Sequence, residues 1–196
     1  MVKKPIVISI CGMAGTGKST VSKRLAEKYG LKYISGGDAL KTLALEEGYE
    51  VEGRGWWETD NGRKFLKQRM ENPQFDKKID EQLIKWAGRE NVILDSWTMP
   101  WLVKKGFKIW LDASTKRRAK RIAKRDGVGV GEALQALKSK EEKTNKIYKK
   151  LYGFKLGEDF TPFHLILDTN HLNAEEVFQT LCTVIDNMIF RSSVCC

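Results

Sequence analysis

A chain of 196 residues is long enough for one domain with one substantial core, and it has no apolar stretch near the roughly 20 residues needed to cross a bilayer. Its 35 Lys and Arg against 25 Asp and Glu give a formal net charge of +10, which fits a partner rich in phosphate: a nucleic acid, or equally a small phosphorylated molecule. The four cysteines show no metal-ligand spacing, because Cys11 closes a strand pattern, Cys182 sits in an apolar helical pattern and Cys195-Cys196 end the sequence, so no disulfide or zinc framework is expected. A soluble protein of the reducing cytoplasm, with no membrane segment, is the expectation.

From the start, Met1-Val2-Lys3-Lys4-Pro5 runs directly into the apolar stretch Ile6 to Cys11, which reads as a buried strand. Residues Gly12, Met13, Ala14, Gly15, Thr16, Gly17, Lys18, Ser19 and Thr20 follow, and Ser19 to Tyr29 then places Val21, Leu25 and Ala26 on one helical face. The spacing Gly12-x4-Gly17-Lys18-Ser19 between a strand and a helix is the Walker A pattern. Glycines let successive N–H groups turn inward, and the helix adds the positive end of its dipole, so phosphate is the ligand such a loop suits. Lys18 can reach the β- and γ-phosphates of a nucleotide, and the Ser19 hydroxyl can ligate Mg²⁺.

Tyr33-Ile34 forms a second short strand, followed by Ser35-Gly36-Gly37-Asp38 and a helix carrying Ala39, Leu40, Leu43 and Ala44. Asp38 is expected to cap that helix, with Lys41 in its first turn, where a nearby phosphate would relieve an unfavourable dipole contact. Asp76 to Ala87 is the next helix, with Ile79, Leu83, Ile84 and Ala87 on its apolar face. Val92-Ile93-Leu94 is a strand ending at Asp95. In a parallel sheet that end faces the phosphate loop, so Asp95 is a second candidate for Mg²⁺.

Phe107 to Leu111 and Leu165 to Leu167 complete five strands, ending at Asp112 and Asp168. Between them, Lys116 to Arg125 buries Ala119, Ile122 and Ala123 and sets Arg118, Arg121 and Arg125 on a common side, where they can converge on a transferring phosphoryl group. Gly127-Val-Gly-Val-Gly looks like part of a dinucleotide fingerprint, but a basic helix precedes it rather than a strand, so it reads as a turn or hinge between two charged helices. Asn173 caps a closing helix with Glu176 at its third position and Val177, Phe178, Leu181, Val184, Ile185 and Met188 facing a core. Strands alternating with helices imply an α/β layered fold with right-handed crossovers.

These parts in this order resemble the nucleoside monophosphate kinases, most closely the archaeal-type cytidylate kinases. The resemblance rests on Gly12 to Thr20, Ser35 to Asp38, Asn72-Pro73-Gln74-Phe75-Asp76 with Asp80, Val92 to Asp95, Arg118 to Gly127, and Tyr148 to Gly153. It implies the P-loop nucleoside triphosphate hydrolase fold, a five-stranded parallel sheet flanked by helices, in one domain spanning 1–196 with an acceptor-binding region over 36–90 and a helical lid over 125–155. It implies ATP and Mg²⁺, and a nucleoside monophosphate acceptor with CMP and dCMP first. Lys18, Arg121 and Arg125 would be catalytic, Ser19 and Asp95 would hold the metal, and Asp38, Lys41, Asp76, Asp80 and Trp97 would line the acceptor side.

The sequence departs from the family pattern where the acceptor is chosen. Lys41 stands where an Arg is usual in the helix after the second strand, Ser96-Trp97 stands where another Arg follows the third, and Lys140, Asn145 and Ile147 stand in the lid. A Lys is a point charge and an Arg a bidentate fork, so these exchanges change the chemistry. Trp56, Trp57, Trp97 and Trp101 fall in the same region, where they can pack in the core or stack on a base. Alternative readings are a kinase of another small phosphorylated or hydroxylated molecule and a nucleotide-switched RNA-binding ATPase.

Overall fold

The computed structural model describes residues 5–53 and 55–190. Val7–Cys11 (β1), Lys32–Ser35 (β2), Val92–Asp95 (β3), Phe107–Asp112 (β4) and Leu165–Asp168 (β5) form one parallel sheet in the order β2-β3-β1-β4-β5. The three inner strands are nearly continuous apolar runs because helices cover both faces, whereas β2 and β5 lie at the edges and are only partly buried. Asp95, Asp112 and Asp168 each extend a strand by one residue.

Alternation along the strands divides the core. Ile8, Ile10, Ile93, Ile109 and Leu111 point to one side, where Lys18–Tyr29 (α1) contributes Val21 and Leu25, and Ala174–Ile185 (α8) contributes Val177, Leu181 and Ile185. On the other side Val7, Val92 and Leu94 meet Leu83 and Ala87 of Gln74–Ala87 (α4) and Met99 of the short Met99–Leu102 helix (α5). Cys11 and Trp110 pack there on Leu66 of Asp60–Glu71 (α3) and on Ile147 and Tyr148 of Val130–Tyr152 (α7). A separate cluster joins Leu40, Leu43 and Ala44 of Gly36–Glu46 (α2) to Trp56 and Phe65, so residues between β2 and β3 carry a small core of their own.

Thr115–Asp126 (α6) ends at Gly127, whose φ of 70° lies in the left-handed region that glycine adopts without a Cβ clash. The next helix, α7, starts three residues later, so the glycine-rich stretch is a turn between helices and follows no strand. Among the described residues, no helix is long and apolar enough to cross a membrane. Cys11 and Cys182 are buried free thiols, while Cys195 and Cys196 lie outside the described residues.

Local details correct the sequence reading. Ser35, not Asp38, caps α2: its Oγ accepts from the Asp38 N–H, because the helix begins at Gly36. Asp38 therefore lies in the first turn and Lys41 in the second. Ile84 is 39 % exposed on the rim of α4, displaced from the buried face by the polar pair Asp76 and Asp80. Asn173 caps α8 with the expected reciprocal bonds to Glu176. Beyond Ile185, however, the backbone opens into a wider π turn at Asp186–Phe190, which rotates the side-chain register and leaves Met188 60 % exposed.

One buried ion pair straps α6 to α7. Arg118 donates to Glu141 and to the Ala113 and Ala14 carbonyls, and both charged side chains are almost fully enclosed. Replacing Arg118 by Met strands the Glu141 charge, and should lower the unfolding free energy by about 3–5 kcal/mol. Urea denaturation at neutral pH reads that loss, and the double variant Arg118→Met/Glu141→Met should recover part of it.

Candidate active site

The loop from Gly12 to Gly17 joins β1 to α1 at the carboxyl edge of the sheet, where parallel α/β proteins collect ligands. Gly12 has φ 143°, and a Cβ there would collide with the Leu111 carbonyl, so only glycine lets the loop lie this close to β4. The Thr16 hydroxyl and the Lys18 ammonium both donate to the Met13 carbonyl, at 2.9 and 3.2 Å, which curls the loop on itself. No side chain caps the amino end of α1, so its first amides face outward with the helix dipole behind them.

Lys18 is held between that carbonyl and the Trp97 ring, 5.6 Å from its centroid. Burial lowers its pKa, and the nearby Asp95 carboxylate opposes the shift. Trp97 itself donates from Nε1 to the Gly12 carbonyl at 2.7 Å, which fastens the loop to the end of β3. Asp95 is buried at that strand end and accepts from the Tyr33 hydroxyl at 3.0 Å. Beneath them, burial pushes the Cys11 thiol up to about 12, so it is an uncharged core group.

Ser19 offers a hydroxyl and Asp95 a carboxylate to the same cavity. Among the described residues no group of three His, Cys, Asp or Glu side chains could cage a metal. A sparse oxygen set of this kind fits Mg²⁺, which keeps much of its coordination for phosphate and water.

One cavity of about 1130 Å³ runs from this loop to the clusters packed between α2, α3, α4 and α7. Ten Lys and Arg side chains line it against four Asp and Glu, so much of the chain's surplus positive charge converges on one cleft. At its far end Arg69 makes a two-pronged ion pair with Asp76, at 3.0 and 2.5 Å, with both side chains at most 3 % exposed. Asp80 accepts from the Thr98 hydroxyl at 2.6 Å and the Tyr152 hydroxyl at 2.7 Å. Burial raises the Asp80 pKa to about 7 in spite of those two donors.

Of the residues expected from sequence, Ala14 to Thr20, Lys41, Asp76, Asp80, Asp95, Trp97, Arg121 and Arg125 line this cavity. Asp38 is exposed on the outer side of α2 and is not part of the lining. Nor do the three arginines of α6 converge. Arg118 is drawn into the buried pair with Glu141, because α7 packs over it. Arg121 donates to the Thr169 carbonyl at 2.6 Å and lies 3.5 Å from the Gly15 and Thr16 carbonyls, beside the phosphate loop. Arg125 stands at the mouth, in a two-pronged pair with Asp126.

The tryptophans divide likewise. Trp56 is buried and Trp101 stacks on Phe154, so both serve packing, whereas Trp57 and Trp97 reach the cavity. The Trp57 ring is already approached by two cations, Arg69 at 5.6 Å and Lys140 at 5.0 Å. Among the lid replacements only Lys140 faces the cleft: Asn145 accepts from the Leu156 N–H and Ile147 is in the core.

Arg69, Glu58, Thr98 and Thr144 line the cavity without having been singled out in the sequence. The available signal was Arg69 itself, three and four residues after Leu66 and Phe65 on the only apolar face of α3, an arginine at a core position.

A parallel sheet of this order, with a phosphate loop after its first strand and a basic cleft at its carboxyl edge, is the fold of the P-loop kinases. Shikimate kinase from Acinetobacter baumannii, solved in complex with shikimate, has this fold, with a TM-score of 0.57 and 17% identity over 94% of this chain and 96% of that one. The sequence narrows the assignment: residues 7–171 match the cytidylate kinase-like family. The cytidylate kinases of Pyrococcus horikoshii and Thermococcus kodakarensis are 34% and 35% identical to this chain, in each case over 96% of it and 92% of the relative. The chain belongs to the cytidylate kinase-like family.

The buried carboxyl of Asp80 yields a prediction. Its folded pKa of about 7 lies above the ordinary carboxylate value of roughly 4. Its contribution to stability is therefore complete below pH 4 and is lost as the pH rises through 7. Carboxyl ¹³C shifts should show one aspartate titrating near 7 that disappears in Asp80→Asn. The stability difference between the two proteins should change over the same interval.

Proposed function

We propose that this protein is an ATP-dependent kinase of a nucleoside monophosphate, converting CMP and dCMP to CDP and dCDP in a soluble, cytoplasmic setting. The single observation that carries the reading is the continuity of the cleft. The phosphate loop at one end and the buried Arg69–Asp76 pair with Asp80 at the other open onto one cavity, wide enough for two nucleotides meeting at their phosphates.

In this reading an oxygen of the acceptor phosphate, already anionic, attacks the γ-phosphorus of ATP. The bond from that phosphorus to the β–γ bridging oxygen breaks, and ADP leaves. No strong base is required, and the protein's work is positioning and charge stabilisation. Residues 12–20 hold the triphosphate through backbone amides, with Lys18 at the β- and γ-phosphates. Arg121 flanks the phosphates from the loop side, and Arg125 closes from the mouth in a lid formed by residues 125–155. Ser19 and Asp95 would hold a Mg²⁺ ion brought by the nucleotide, which would supply neutralisation of phosphate charge. Lys41, Asp76 and Asp80 of the 36–90 region border the acceptor together with Trp97, and the hydrogen bonds that fix Asp76 and Asp80 favour one base edge over another.

A panel of acceptors assayed for ADP release tests the reading. CMP or dCMP should stimulate turnover above all others, and Lys18→Ala should lose about a hundredfold or more in rate while keeping its circular dichroism spectrum. Stimulation by a different phosphorylated or hydroxylated molecule would reassign the acceptor. Salt-sensitive RNA binding without acceptor-stimulated turnover would favour an ATPase switch.

Arg125 gives a second test. If it meets the phosphoryl group chiefly in the transition state, Arg125→Ala should lower kcat by roughly a hundredfold or more, by analogy with the loss of one oxyanion donor. ATP affinity measured by calorimetry should change far less. Equal losses in affinity and kcat/KM with kcat preserved would make Arg125 a ground-state binder.

A further inference from the structure

Glu58 occupies an unusual place. It ends the short 3-10 turn Trp56–Glu58 and projects into the mouth of the cavity, where two cations from different helices reach it: Lys140 of α7 at 3.6 Å and Arg125 of α6 at 3.9 Å. Both are ion pairs too long to be hydrogen bonds. The Glu58 side chain is 19 % exposed, and its Oε2 is buried without a hydrogen-bond partner among the described residues. A carboxylate in that state is under-satisfied: charge alone holds it to Lys140 and to Arg125, whose guanidinium is also forked onto Asp126. Geometrically it is an anion with free lone pairs, at the point where α6, α7 and the acceptor region face one another.

Lys140 is equally unsettled. Its side chain is 16 % exposed, its ammonium sits over the Trp57 ring at 5.0 Å from the centroid, and Glu58 is the only carboxylate it pairs with among the described residues. The other charged groups acting on it are Lys18 from α1, Arg125 from α6 and Arg69 from α3, all cations. One turn further along α7, Thr144 lines the same cavity, 1 % exposed, with its hydroxyl unpartnered among the described residues. A buried cation among cations, beside an orphaned hydroxyl donor, is a surface arranged for an anion larger than one carboxylate.

We propose that Glu58 is a positioning residue that stands in for a substrate phosphate: in the nucleotide-free protein it holds Lys140 and Arg125 together, and incoming phosphate replaces it, leaving Lys140 as a phosphate contact. The inference rests on the phosphoryl-transfer reading above. Its consequence is a pH dependence that an arginine would not give. Burial among cations brings the Lys140 pKa down to about 8, so in the free protein the contact is present below that pH and fails above it. Phosphate bound to the ammonium favours its charged form, so the same limb should lie at higher pH in the complex.

Calorimetric affinities for ATP and for CMP, measured separately between pH 7 and 9.5, test the proposal without needing turnover. For at least one of the two nucleotides, affinity in the unaltered protein should fall about tenfold for each pH unit well above 8, the behaviour of a single required proton. In Lys140→Arg that decline should disappear. Glu58→Gln removes the internal competitor, and should bind the same nucleotide severalfold more tightly at pH 7, with its alkaline limb moved to lower pH because Lys140 has lost its carboxylate.

A limb that persists unchanged in Lys140→Arg, or a Glu58→Gln protein that binds neither nucleotide more tightly, overturns the proposal. Failure of the acceptor reading is separate: it would appear as absence of CMP-stimulated ADP release in the unaltered protein, while the ATP titrations still decide the role of Glu58.

Discussion

The site depends on keeping the loop between β1 and α1 curled tightly enough for its amides to face a common centre, and that shape is imposed from outside the loop. The Ala14 carbonyl accepts from Arg118, which is held in turn by Glu141 of α7. One buried ion pair thus grips the loop at the Ala14 carbonyl while joining α6 to α7. Below it, the Leu111 carbonyl leaves no room for a Cβ at Gly12, and Trp97 holds the Gly12 carbonyl from the end of β3. The loop is therefore fixed by three strands and two helices, and preorganisation of this kind gives backbone dipoles their electrostatic effect.

Burial then sets the chemistry of the charges around that loop. Arg69 with Asp76 and Arg118 with Glu141 are nearly dry, closely bonded pairs that fix geometry. Lys140 with Glu58 is looser, Lys18 feels Asp95 through its charge without a bonded contact, and burial lowers the pKa of each lysine. Arg118 with Glu141 lies behind the cleft, whereas Arg69 with Asp76, Lys18, Asp95, Lys140 and Glu58 line it. Phosphate can compete for a cation at the loose pairs and cannot easily do so at the tight ones.

Sequence patterning located the strands and their order along the chain because the strands are uniformly apolar and the loop glycines follow the first of them directly. It did not find α3, whose twelve residues carry only Phe65 and Leu66 as large apolar side chains apart from Met70 near its end, too little for a clear helical period. That omission hid Arg69, whose pair with Asp76 lines the far end of the cavity. The α6 arginines failed differently. Their spacing correctly put them on neighbouring turns, but spacing says nothing about what packs above each one, and α7 claims Arg118 alone.

By itself the sequence determined the phosphate loop, the five-stranded α/β order and the kinship to a kinase family, because backbone conformation, alternation and capping act over a few residues. The tertiary structure alone decided which charges are paired and which are left available. Asp76 meets Arg69 from a neighbouring helix, Glu58 meets Lys140 across the mouth of the cleft, and Asp80 meets Thr98 and Tyr152 from two other elements. Those choices set the local desolvation and hence the protonation of Asp80 and Lys140, and desolvation is a property of the assembled packing that no short stretch of chain contains.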